Sequence, residues 1–270
     1  MIHYKTAWLL TLALFVGVFT LATVNSKLLA QAAQCISATI PQGCLYLPLA
    51  FSDTPPPRYE AVPIIQPPLD RPANQHGDIN LALRGYHKTN KALTLVNVNG
   101  PTDSDAPQLG GLFFPQRRPD FMATYQVRNW DWACGVNGCR ADRIVIPSVT
   151  LLSFATEPDE PIFIPTRRAQ IMAGGYVAMV LYAEARRITL VYTRDDTAAG
   201  GYVVHLENVR IDSELLALYK ASNAAGRTQL PALRNNQQIG VANGKTIKLA
   251  IRDTGRFMDP RSRKDWWKGY

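Results

Sequence analysis

The sequence predicts a mainly β protein: an antiparallel sheet or sandwich-like domain with one short helix, set behind an N-terminal signal or anchor helix. Three observations carry this. From residue 74 onward, short runs rich in β-branched and aromatic residues alternate with turn-forming residues, the pattern of strands joined by tight connections. Ahead of them the chain opens with charge, then an apolar run, then a small-residue site, the order of an export signal. Between the two lies a proline-dense stretch that suits neither helix nor sheet. With 270 residues, 47% of them hydrophobic and 19% charged, the composition is globular and allows one or two domains.

Taken in order, Lys5 supplies the charge, residues 7–24 the apolar run, and Ala30-Gln31-Ala32 the small-x-small site. Cleavage after Ala32 accounts for all three parts; an uncleaved anchor is the alternative, since the run is long enough to span a bilayer. Cys35 follows Ala32-Ala33-Gln34, which is no lipobox. Residues 33–73 then form a spacer, with eight prolines between 47 and 72, a composition that favours a semi-rigid extended chain. The four cysteines all lie beyond residue 32. An even count in an exported chain reads as disulfides, and proximity pairs Cys35 with Cys44 and Cys134 with Cys139. The two pairs lie too far apart in sequence to make one zinc site the simpler reading.

The domain is expected over 74–270, with strands at 79–83, 93–98, 121–127, 144–154, 177–182, 187–192, 202–209 and 246–251. Turn chemistry separates them at Asn99-Gly100-Pro101, Gly110-Gly111, 135–138 and 158–165. Residues 212–225 read as a helix on local pattern: Asp212 can cap it, Leu215, Leu216 and Tyr219 make an apolar face, and Gly226 stops it. Ala198-Ala199-Gly200-Gly201 reads as a hairpin loop. Asp195 and Asp196 ahead of it suit a solvated turn or, less simply, calcium.

Residues 176–267 carry a series of landmarks in order: Gly201-Tyr202-Val203-Val204, Leu218-Tyr219-Lys220-Ala221-Ser222, Asn236-Gln237-Gln238-Ile239-Gly240, the run from Thr246 to Arg252, and Asp259-Pro260. This order resembles the lysostaphin-type zinc endopeptidases, bacterial enzymes that cut peptidoglycan cross-bridges with a β-sheet domain. The resemblance implies a lysostaphin-like core in the C-terminal part and makes Leu218-Tyr219 part of a strand, which conflicts with the helical reading. It also implies a lost metal site. Thr246 and Lys248 stand at the two histidine positions of the family's His-x-His strand, Ala221 at another histidine position, and His76-Gly77-Asp78 has the wrong spacing and lies too early for the remaining ligands. An ammonium offers no lone pair to zinc. The implied function is a non-catalytic domain that binds peptidoglycan, another envelope glycan or an envelope protein. The alternative is a zinc-dependent endopeptidase with a rearranged site drawn from His76, Asp78, His87 and His205.

Read without the resemblance, the site residues are few. His205 alternates with Val203 and Glu207 on one strand face; a packed histidine is the plainer reading, a ligand or catalytic role the sharper one. Trp130, Trp132, Trp266 and Trp267 stand beside carboxylates and arginines, the mixture a sugar-stacking surface requires. On strands, Trp130 and Trp132 would share a face and Trp266 and Trp267 would point oppositely, so at least one ring of each pair is expected inside. No G-x-S-x-G or phosphate-loop motif is present. The formal charge of +8 falls to +6 on loss of Lys5 and Lys27; this suits a solvated basic surface or contact with anionic lipid or wall polymer. Export argues against nucleic acid. The expected place is secreted, or anchored to the outer face of the cytoplasmic membrane through the N-terminal segment, with no cofactor unless the zinc alternative holds.

Overall fold

A computed structural model describes residues 58–270. The export segment, most of the spacer and the Cys35–Cys44 pairing lie outside the described residues. The rest is mainly β. Fourteen strands run in chain order as β1 (Glu60–Pro63), β2 (Tyr86–Thr89), β3 (Phe121–Asp131), β4 (Cys139–Arg143), β5 (Leu151–Ala155), β6 (Pro161–Phe163), β7 (Tyr176–Glu184), β8 (Arg187–Val191), β9 (Tyr202–Glu207), β10 (Val209–Ile211), β11 (Gln229–Arg234), β12 (Gln238–Ala242), β13 (Thr246–Asp253) and β14 (Arg256–Phe257). The helices are α1 (Leu81–Arg84), α2 (Ser213–Ala224) and α3 (Arg263–Trp266).

An 11-stranded antiparallel sheet has the order β1-β11-β7-β8-β9-β13-β5-β3-β2, with β14 on β13 and β4 on β3; β10-β12-β6 form a second, 3-stranded sheet. Both faces of the central strands are covered, which is why β7 and β8 read as nearly unbroken apolar runs. Ile188, Leu190, Val204, Leu206, Ile247, Leu249 and Ile251 join one large core with Ile162, Val209, Ile211 and Ile239 from the small sheet. A smaller cluster of Leu81, Val127, Leu151, Ala250 and Phe257 is separate. Asn208, at φ 65, turns the chain from β9 into β10, and Thr254-Gly255, both at positive φ, make the two-residue β13–β14 turn.

Helix α2 settles the conflict over 212–225 in favour of the local pattern. The Asp212 carboxylate accepts from the backbone N–H groups of Glu214 (2.9 Å) and Leu215 (3.4 Å), while Leu215 and Tyr219 are buried. The run Leu218 to Ser222 is therefore helical, not the strand the resemblance implied. Several strand expectations also change. Ile79 and Leu81 do not alternate along a strand, because α1 forms there and Gly85 at φ 67 closes it. Residues 93–98 make a single bridge, Val96 to Ser262. The strand expected from 144 begins only at Leu151, past Pro147, which has no N–H to give a ladder. The folded part also starts before 74. β1 pairs with β11 from Glu60 to Pro63, and Tyr59 and Val62 are buried; prolines at the edge and end of a strand cost no ladder bond.

Cys134 and Cys139 are disulfide-bonded and close the β3–β4 hairpin.

Candidate functional site

Register alone builds a polar face on the large sheet. Glu184 pairs with Arg187, Arg187 with Glu207, and Glu207 with Lys248 across β7, β8, β9 and β13, so four side chains of alternating sign lie in one row. Arg187 bonds Glu184 at 2.8 Å and Glu207 at 3.2 Å. Burial raises the Glu207 carboxyl pKa, and Arg187 opposes this.

The adjacent row is Tyr182, Thr189, His205 and Ala250. Thr189 donates its hydroxyl proton to the Ile79 carbonyl (2.6 Å) and sits 3.0 Å from His205 Nδ1. With its single proton spent, Thr189 can only accept, so His205 carries its proton on Nδ1 and leaves Nε2 bare. Nε2 is buried without a partner among the described residues. Two buried guanidiniums, Arg84 and Arg252, share the single Asp78 carboxylate, so positive charge outnumbers negative there. Burial first, then these guanidiniums, hold the His205 pKa well below its usual range. Burial alone would raise Asp78, but Arg252 and Arg84 outweigh it and the carboxyl is lowered. Phe257 stacks on His205, and both guanidiniums lie over its ring.

A cleft of about 470 Å³ opens beside this row. One wall is the strap Pro68–Asn74, the other is α2 with Gly226 and Arg227, and the floor is Tyr182, Ala183 and Glu184 at the end of β7. Tyr182 and Tyr219 meet edge to face at 6.1 Å. The Tyr182 hydroxyl donates to Glu184 and accepts from Asn80. Arg227, at φ 60, spends all five donors: two on Asp196 (2.8 and 2.6 Å), the others on Leu181 O, Tyr219 OH and Asn223 Oδ1. Asp196 also accepts from Leu69 N, which pins the strap.

The sequence candidates scatter around this site. Trp132 is 38% exposed; the Arg71 guanidinium lies 4.5 Å over its ring and His76 meets it edge-on at 4.9 Å. Trp130 lies on the same side, 6.2 Å away, over Gly77 and Gly138, where a Cβ would come within 2.4 and 2.2 Å of it. Trp266 and Trp267 are not on a strand: α3 carries one and ends at the other. Both rings are buried, their indole N–H groups bonded to Asp259 O and Pro260 O, so neither offers a face to a ligand. His76 Nδ1 accepts from Asp78 N, His87 is exposed on the edge strand β2, and His205 faces Thr189. Among the described residues no three His, Cys, Asp or Glu groups are placed to hold a metal ion, so His76, Asp78, His87 and His205 do not assemble into the zinc alternative. Asp196, read as a solvated turn residue, is buried against Arg227. Sequence reasoning missed the cleft's own groups, Arg71, Glu184, Asn223 and Arg227; only the Gly226 stop after α2 pointed near them. The chain matches no protein family, no curated protein and no solved structure.

Proposed function

We propose that this domain is a non-catalytic binding module on the outer side of the cytoplasmic membrane, holding a cell-envelope polymer in the cleft between strap and α2. The lining of that cleft carries the reading: hydroxyl, amide, carboxylate and guanidinium groups stand among apolar and aromatic side chains around an open cleft at the end of β7. Its volume lies within the range of about 300–1,000 Å³ usual for ligand sites. Both oxygens of Glu184, the carboxylate of the cleft, already accept hydrogen bonds, one from Tyr182 and one from Arg187, which favours holding a ligand over moving protons. The Cys134–Cys139 disulfide suits an oxidising compartment.

The test is retention on purified peptidoglycan sacculi. The full-length chain should sediment with them, and a Glu184→Ala, Asn223→Ala double variant should not. A chain that ignores sacculi but co-purifies with an envelope protein overturns the polymer reading. Release of peptides from the sacculi, abolished by a chelator, would instead support a zinc endopeptidase.

A further inference from the structure

We infer that the ligand is an uncharged glycan chain and that its binding surface has two parts: the cleft and a ledge formed by Trp132, joined by Arg71. This rests on the binding reading above and narrows it.

The charges that line the cleft are all compensated within the chain. Three charged side chains face the cleft, Arg71, Glu184 and Arg227. Each has its counter-ion within the chain: Asp70 for Arg71 at 2.7 Å, Arg187 for Glu184 at 2.8 Å, and Asp196 for Arg227 at 2.6 Å. A ligand bearing net charge therefore finds no uncompensated counter-charge in the cleft. A neutral polyhydroxyl chain needs none, because spare lone pairs on Glu184, the Arg71 Nη1 group and the side-chain amides of Asn74 and Asn223 can exchange hydrogen bonds with hydroxyls and acetamido groups.

The second part follows from Arg71, which lines the cleft and also stacks on Trp132. That tryptophan stands on a hairpin closed by Cys134–Cys139 and tied to the strap side by a bond from Asn137 to Gln75. A half-exposed indole beside polar groups is a stacking surface for the apolar face of a sugar ring. A chain long enough to leave the cleft past Arg71 reaches it.

The experiment is calorimetric titration of the full-length chain with N-acetylated chito-oligosaccharides of increasing length, at low and high salt. Affinity should rise with length and change by no more than about twofold with salt, since no counter-ion is released. Trp132→Ala should remove the gain with length, a loss on the order of tenfold for the longer chains, while Trp132→Phe keeps most of it and both variants melt like the wild type. Preference for de-acetylated or anionic chains, or steep salt dependence, overturns the inference of neutrality. An unchanged length profile in Trp132→Ala overturns the ledge. Retention on sacculi without any oligosaccharide binding overturns the glycan inference while leaving the module reading in place; loss of both overturns the two together.

Discussion

His205 has its one donor committed to Thr189 and a bare Nε2 enclosed with two guanidiniums, so protonating it means adding a third buried cation around Asp78. In the unfolded chain the same imidazole titrates near 6.5. Between that value and the depressed folded one, the unfolded state binds more protons, so stability falls as pH drops. His76 is lowered too, chiefly by burial, and acts in the same direction. The full contribution is present above about pH 7 and drains away below 6.5, at a limiting slope of about 1.4 kcal/mol per pH unit for each histidine. Asp78, whose pKa is lowered, acts in a separate window: its stability is present above its unfolded value near 3.9 and is lost only as pH falls below that. Glu207, whose carboxyl is raised by burial, acts in the opposite direction as pH falls. Urea unfolding at pH 7.5 and pH 5 should therefore show the two histidines' loss less this one group's gain, a net loss at the lower pH. In His205→Asn, whose amide nitrogen stands at the Nδ1 position and can donate to Thr189, the loss should shrink. An identical loss in the variant would mean that His205 does not hold the depressed pKa.

Helix α2 forms where residues agree locally, and that is why it was legible. Asp212 caps it, Leu215 and Tyr219 face the sheet, and Gly226 at φ 86 ends it; Asp212→Ala should cost about 1 kcal/mol in urea unfolding, the usual value of a lost cap. The same local agreement made β3, β7, β8, β9 and β13 readable, because their β-branched and aromatic runs say strand without help from neighbours. Strands β4, β11 and β12 were not readable: CRADR and QLPALR hold no β-branched or aromatic residue, and Ile239 and Val241 in QIGVA make too short a run to stand alone. Pairing makes them strands: Gly240 lies so close to β10 that a Cβ there would come within 2.2 Å of Arg210 O. Site legibility divides along the same line. Trp132 was visible as an aromatic beside charges, but the cleft joins the strap, the end of β7 and the end of α2, segments that only the folded sheet brings together. The tryptophans of the closing run were misjudged because α3, not a strand, carries the chain there, and a helical turn buries two successive rings that a strand would have split between faces.

The strap and β1 decide where the folded unit begins, and proline density hid this in the sequence. β1 covers the edge of β11, Tyr59 bonds Gln238 O at 2.8 Å, Arg58 reaches Asp212 at the cap of α2, and Ile64 and Ile65 bond the backbone at Thr228 and Arg194. A chain beginning at residue 74 loses all of this, together with one wall of the cleft. The buried Tyr59 and Val62 alone account for about 1.5–3 kcal/mol each, as an upper estimate, and the freed edge of β11 becomes a template for strand pairing between molecules. At roughly 2–4 °C per kcal/mol for a domain of this size, residues 74–270 should melt about 10 °C below residues 58–270, aggregate more readily and fail to bind sacculi. Circular dichroism melts of the two truncations check this. Equal melting temperatures would make β1 and the strap an appendage rather than part of the sheet, and a 74–270 chain that still binds would move the ligand out of the cleft.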